Sequence, residues 1–132
     1  KGFSGIVMEQ MEGSLAGEVS VCSVMDVIKW SIDIVLGIRD IHGDGYVHLD
    51  LKLHNILINK AGKVKIADLG LAQPKGQVRT GSGTKAYMAP EMKEKGRNAD
   101  GEKVDIYGIG VVIKELLQKA SLGHQGLTLF QK

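Results

Sequence analysis

Over residues 23–42 apolar side chains return every three or four positions, at Val24, Val27, Ile28, Ile32, Val35, Ile38 and Ile41, with charged Asp26, Lys29, Asp33, Arg39 and Asp40 between them. That period predicts an amphipathic helix over 23–42, and Gly43-Asp44-Gly45 supplies its stop. Residues 5–11 open on an apolar run that predicts a strand, and Glu12-Gly13-Ser14-Leu15 reads as a turn after it. Beyond the helix come three short apolar runs, Tyr46-Val47, Ile56-Leu57-Ile58 and Val64-Lys65-Ile66. The turn-forming Asn59-Lys60-Ala61-Gly62 between the last two predicts a hairpin. Residues 68–103 are rich in Gly, Lys and polar side chains with little periodicity, so they read as a long ordered or semi-ordered loop, and loops of that length are usually functional or disordered. From 104 to 120 a nearly continuous apolar stretch, with Ile106, Ile109, Val111, Val112, Ile113, Leu116 and Leu117, predicts a helix buried on most sides.

Composition narrows the class without naming a chemistry. A chain of 132 residues with 43% hydrophobic and 24% charged residues has the make-up of one globular domain, not of a disordered segment. Its 18 glycines are about twice the usual share, yet follow no period, so they mark turns. Lys and Arg number 17 against 15 Asp and Glu, a balance too even to argue for nucleic acid or an anionic membrane. One cysteine, Cys22, excludes an internal disulfide and a cysteine zinc cluster, and reads as a packing residue. No apolar run is long enough to span a bilayer, and no secretory leader pattern occurs. Because the chain opens on Lys1, it is expected to be a fragment of a longer protein.

The dense polar cluster is His48-Leu49-Asp50-Leu51-Lys52-Leu53-His54-Asn55, followed by Asp68-Leu69-Gly70 at the end of the second hairpin strand. Two carboxylates, a lysine and an asparagine at a loop and a strand end suit phosphoryl transfer, which rests on positioning and charge neutralisation. Magnesium asks for few protein oxygens, so one Asp and one Asn would suffice. A competing reading makes His48, Asp50 and His54 ligands of a hydrolytic metal. A third leaves both histidines as plain hydrogen-bonded side chains beside a turn.

Order and spacing decide among these, because the cluster resembles the protein kinase family, serine/threonine type. Residues 48–55 resemble its catalytic loop, Asp68-Leu69-Gly70 its Asp-Phe-Gly motif, and Met88-Ala89-Pro90-Glu91 its Ala-Pro-Glu motif, which would close an activation segment over 68–91. Asp105-Ile106-Tyr107-Gly108-Ile109-Gly110 is similar to the start of the buried helix that anchors the catalytic loop. The resemblance implies an α+β fold: the mainly helical C-terminal lobe of a kinase domain with short β-hairpins, truncated at both ends. Residues 1–132 would be a partial domain with a hinge strand over 5–11.

The implied function is ATP- and magnesium-dependent transfer of the γ-phosphate to Ser/Thr hydroxyls of protein substrates. By resemblance Asp50 would orient the substrate hydroxyl, Lys52 would contact the transferring phosphate, and Asn55 and Asp68 would hold magnesium. Thr84, after Gly83, would sit against Asp50 and Lys52. Glu9 and Met11 would meet the adenine edge, Met8 would gate the back of the pocket, and Leu57 would lie under the ring. His48, Leu69 and Asp105 would be structural. The partners implied are ATP and Ser/Thr-bearing proteins, with no nucleic acid, no membrane segment within these residues and a cytoplasmic address.

Some positions depart from the family pattern. Leu49 stands where most members have the Arg that grips a phosphorylated activation segment, which argues against control through Thr80 or Ser82. Leu69 replaces Phe, and Leu53 and His54 are unusual beside Lys52. The phosphate-covering Gly-rich loop, the ATP-positioning lysine and its partner glutamate have no counterpart before Met8, so the 132 residues alone are expected to be inactive. A second reading is a pseudokinase-like binding or scaffold module, against which the intact Asp50, Lys52, Asn55 and Asp68 argue.

Overall fold

The computed structural model describes residues 10–131, with side chains through residue 121. In chain order its elements are β1 (Gly13–Ser14), α1 (Leu15–Glu18), α2 (Val24–Gly43), β2 (Tyr46–Val47), β3 (Ile56–Ile58), β4 (Val64–Ile66), β5 (Gln73–Pro74), β6 (Gln77–Arg79), β7 (Asn98–Asp100) and α3 (Gly101–Gln131). Single 3-10 turns stand at Leu53–Asn55, Lys85–Tyr87 and Pro90–Met92. The fold is α+β, as the sequence reading expected.

Local chemistry explains where the long helices start. Ser23 Oγ accepts from Asp26 N at 3.0 Å while Asp26 Oδ2 accepts from Ser23 N at 3.1 Å, a capping box that satisfies two donors at the head of α2. At the head of α3, Asp100 Oδ1 accepts from Glu102 N at 3.0 Å and Lys103 N at 3.4 Å.

The buried stripe of α2 is Val27, Trp30, Ile34 and Ile38. Val24, Ile28, Ile32 and Val35, which the sequence reading placed on the apolar face, are instead exposed, with Ile41 half-buried. Both sets satisfy a spacing of three and four, and α2 turns inward the face that carries Trp30, whose Nε1 donates to Gly62 O at 3.1 Å. α3 likewise corrects its expectation. It begins three residues before the expected 104–120 and runs beyond it, burying Val104, Ile109, Val112, Leu116 and Ala120 while Ile106, Tyr107 and Leu117 stay exposed.

β3 and β4 form the expected antiparallel hairpin, in register Ile56↔Ile66, Leu57↔Lys65 and Ile58↔Val64. Its turn closes through Lys63 N to Asn59 Oδ1 at 3.0 Å and Gly62 N to Asn59 O at 3.0 Å, with Gly62 at φ 82°. Of the strand expected over 5–11, residues 5–9 lie outside the described residues and Gln10 and Met11 form no strand. Pairing starts at Glu12 N, which donates to Ile58 O at 2.8 Å, and continues through β1 beside β3.

Residues 68–103 are ordered, which the sequence reading allowed, and they also carry short strands that it did not find, with β5 paired to β2 and β6 to β7. One core joins α1, α2, α3 and the hairpin. A second gathers Val47, Leu49, Val78, Ala89, Met92, Ala99 and Val104 beneath residues 76–101. Cys22 bridges the segment before α2 to α3, its thiol donating to Leu116 O at 3.6 Å. Burial foremost, then Asp26, pushes that thiol's pKa up against the pull of Lys119, in keeping with a packing role.

Candidate active site

The segment over residues 48–55 is held from below by one buried carboxylate. Asp105 accepts from His48 N through Oδ2 and from Leu49 N through Oδ1, each at 2.8 Å, and Oδ2 also meets His42 Nε2 at 2.8 Å. Two successive N–H groups can converge on one carboxylate only where the backbone bends sharply. Leu49 makes that bend at φ 69°, in the left-handed region that side chains bearing a Cβ avoid. α3 passes directly beneath, where a Cβ on Gly108 would sit 3.3 Å from Leu51 Cβ.

The bend sorts the side chains of the loop. Leu49 goes into the second core with 5% exposure. His48 is fully buried, its Nδ1 accepting from Asp50 N at 3.1 Å and its Nε2 donating to Ala67 O at 2.8 Å. Both ring nitrogens are therefore engaged, and His54 is exposed. No group of three His, Cys, Asp or Glu among the described residues could hold a metal ion, which removes the reading of His48, Asp50 and His54 as metal ligands.

Asp50, Lys52, Asn55 and Thr84 meet in one cluster. Thr84 Oγ1 donates to Asp50 Oδ1 at 2.9 Å and accepts from Lys52 Nζ at 2.8 Å, and Thr84 N also donates to Asp50 Oδ1 at 3.2 Å. Lys52 Nζ is 3.9 Å from Asp50 Oδ2. Asn55 Nδ2 donates to Asp50 O at 2.7 Å and reaches Asp50 Oδ2 at 3.5 Å. A hydroxyl thus bridges a carboxylate that accepts its hydrogen bond and an ammonium that donates to its oxygen. Gly83 brings Thr84 in, since at φ 113° a Cβ there would stand 3.0 Å from Leu49 O.

Ala67, the residue before Asp68, is tied by its backbone to the segment over residues 48–55. Ala67 N donates to Asn55 O at 2.8 Å, extending the β3–β4 ladder by one bond, while Ala67 O takes the His48 bond. The next residue, Asp68, turns into the left-handed region at φ 58°, exposed, with Gly70 N donating to its Oδ1 at 3.2 Å. Asn55 Nδ2 is committed to Asp50, and Asp68 follows Ala67, the backbone partner of Asn55, so the two residues offer an amide oxygen and a carboxylate. This pair of hard oxygens fits magnesium, which binds through few protein ligands and completes its shell with water and phosphate.

The remaining positions are less gathered. Leu57 is half-buried on β3 and Met11 half-buried just before β1, whereas Glu9 and Met8 lie outside the described residues. Sequence reasoning missed His42, whose only signal was its place in the last turn of a helix, and Ala67, whose contribution is purely backbone. Two hollows of about 550 Å³ each lie elsewhere, against α2 and the β3–β4 turn, with Asp33 and Lys63 lining both.

Thr80 is 92% buried. Its hydroxyl donates to Glu94 O and accepts from Arg97 N at 3.0 Å, stapling the segment that leads to Thr84 against the strand leading to α3. Among the described residues no helix is long and apolar enough to cross a membrane.

Comparison with known proteins adds an independent finding. A family model described as the protein kinase domain matches residues 3–128. The chain is 33% identical over 125 residues to serine/threonine-protein kinase SMU1 of Mycosarcoma maydis, covering 89% of this chain and 16% of that protein. It is 40% identical over 113 residues to serine/threonine/tyrosine-protein kinase HT1 of Arabidopsis thaliana, covering 83% and 28%. It is 36% identical over 128 residues to the probable serine/threonine-protein kinase pknA2 of Bifidobacterium longum, covering 88% and 16%. The chain therefore spans under a third of the length of each of these relatives.

Proposed function

The chain belongs to the protein kinase domain family, and from that premise we propose that it carries the catalytic and activation segments of a serine/threonine kinase. The reaction is ATP- and magnesium-dependent transfer of the γ-phosphate to Ser/Thr hydroxyls of protein substrates. The observation that carries this reading is the Thr84 hydroxyl, held at 2.9 Å from Asp50 Oδ1 and 2.8 Å from Lys52 Nζ. A carboxylate poised to accept an O–H beside an ammonium is what an attacking hydroxyl and an incoming phosphoryl group need.

In this reading Asp50 orients the substrate hydroxyl and receives its proton, and Lys52 neutralises charge on the transferred group. Thr84 is a positioning residue that keeps the two from collapsing onto one another. Asn55 and Asp68 would hold magnesium, which when bound screens the phosphate charge. Glu9, Met11 and Leu57 would line the adenine side. The cytoplasmic address belongs to the same proposal, since ATP is the reactant required.

The deciding experiment incubates the full-length natural protein with labelled ATP and a Ser/Thr/Tyr peptide library, with and without magnesium. Label on serine and threonine only, and only with magnesium, is expected. Nucleotide binding without transfer would instead favour the scaffold reading. The 132 residues alone are expected to transfer no phosphate, since no Gly-rich phosphate loop or second ATP-contacting lysine is recognisable in them; magnesium-dependent labelling by the bare chain would contradict this.

Activation through phosphorylation at Thr80 has no support in the geometry, because its hydroxyl is already committed twice. Ser82→Ala is expected to leave activity within a few-fold. Thr80→Ala leaves Arg97 N without its acceptor and is expected to lower stability by about 1–2 kcal/mol, seen in urea unfolding. Near-total loss of activity in Ser82→Ala would overturn this view of the segment.

A further inference from the structure

Between Lys75 and Arg97 the chain carries six Lys or Arg against two Glu, although its overall excess of basic over acidic side chains is only two. The side chains of those six have no part in the roles above. Two of them stand beside Thr84. Lys85 follows it directly and is exposed. Lys95 comes in from the far end of the segment: Gly81 turns at φ 105° with its N–H donating to Met92 O at 2.9 Å, and a Cβ on it would stand 2.7 Å from Lys95 Cγ. The stem of Lys95 therefore lies against Gly81, three residues before Thr84. Arg79 closes β6 two residues before Gly81, and Lys93 follows the Pro90–Met92 turn.

Arg79, Lys85, Lys93 and Lys95 are all exposed, and among the described residues none has an ion pair or a side-chain hydrogen bond. Arg97 pairs with Glu94 at 3.1 Å, which takes one of the two carboxylates of the segment, and Glu91 pairs with none of the cations. Positive charge without counter-charge on one stretch of surface raises the local potential and draws an anion to it. Resting on the kinase reading, we propose that Lys85 and Lys95 are specificity-determining residues that select an acidic side chain, Asp or Glu, close to the reacting Ser or Thr of the protein substrate. The Lys85 Cα is about 3.8 Å from that of Thr84, and Gly81, under Lys95, is at most about 10 Å from it. An extended substrate whose hydroxyl lies at Asp50 covers that distance in about three residues, so a carboxylate within three positions of the hydroxyl comes level with the two ammonium groups. A cationic side chain there is repelled, and that repulsion adds to the discrimination. Because both lysines face solvent and neither touches the reacting atoms, the preference falls on KM more than on kcat, and salt weakens it.

The test uses the full-length natural protein and single-serine peptides that differ only in Glu, Ala or Arg at one of the three positions to either side of the serine. For at least one position the Glu peptide is expected to give a kcat/KM about tenfold above that of the Ala peptide, with most of the gain in KM. The ratio is expected to fall toward one at about 1 M salt, where the Debye length is about 3 Å. The double variant Lys85→Glu, Lys95→Glu is expected to lose the preference and to favour the Arg peptide, with urea unfolding showing that it is folded. The wild-type ratio and its salt dependence decide even where the variant folds poorly. Equal use of Glu and Ala peptides at every position, a wild-type preference for Arg, or an undiminished Glu preference in the folded double variant overturns the inference and leaves the kinase reading standing. Transfer to no peptide and no protein would remove the kinase reading, and this inference with it.

Discussion

Asp50→Asn in the full-length protein is expected to lower kcat about 10³-fold with the fold intact. Asparagine keeps the size of the side chain and an oxygen that can still accept from Thr84, so the loop retains its shape. What disappears is the negative charge that faces Lys52 at 3.9 Å and the group able to take a hydroxyl proton. The loss should fall on kcat more than on the KM for ATP, because the carboxylate lies against the hydroxyl, not the nucleotide. A variant within tenfold of wild type would show that Asp50 is not the residue that receives the hydroxyl.

The second large effect concerns stability. Asp105→Ala is expected to cost about 3–5 kcal/mol, a substantial part of the total stability of a domain. The side chain is 1% exposed and its two oxygens serve three donors. Its removal leaves the buried N–H groups of His48 and Leu49 unpaired and nothing to hold Leu49 in the left-handed region. Asp105→Asn should cost less than alanine but stay above about 1 kcal/mol, since its amide presents a donor where a second acceptor is needed. Urea unfolding of the full-length variants measures both. A loss under 1 kcal/mol for alanine would mean that the bend at Leu49 is set by the second core and not by the carboxylate.

These two residues differ in how far they could be read from the chain. Asp50, Lys52, Asn55 and Asp68 stood out because polar residues at a loop and a strand end are conspicuous between apolar runs, whereas Thr84 was placed only by the resemblance. Their spacing also matched a known order. Asp105 was assigned a structural part only through that resemblance, since an aspartate inside an apolar run has no local signal of what it accepts. Glu115 and Tyr87, whose side chains hydrogen-bond, carried no signal at all: each is an unremarkable member of its own segment, and only the packing of the Lys85–Tyr87 turn on α3 brings them into contact.

The face of α2 shows why pattern alone falls short. Val24, Ile28, Ile32 and Val35 repeat as regularly as Val27, Trp30, Ile34 and Ile38, so periodicity finds the helix but cannot choose its inward stripe. Trp30 and its bond to Gly62 lie on the chosen side. The paired strands within residues 68–103 escaped notice for a related reason. A strand of two or three residues is too short to display alternation, and its hydrogen bonds go to partners such as Tyr46, 28 positions from Pro74.

Sequence by itself determined the helix predicted over residues 23–42, the β3–β4 hairpin with its Asn59–Gly62 turn, the family, and the chemical types in the cluster. Each of these rests on interactions among residues near one another in the chain or on a motif read in order. Tertiary structure alone decided which stripe of α2 is buried and that Leu49 bends inward. It also decided that His48 spends both ring nitrogens on backbone and that one oxygen of Glu115 has no partner among the described residues. Those outcomes depend on groups far apart in the chain, such as Ala67, 19 positions from His48, and Asp105, 56 from Leu49, where the competition among burial, hydrogen bonding and backbone strain is resolved only once the segments are packed together.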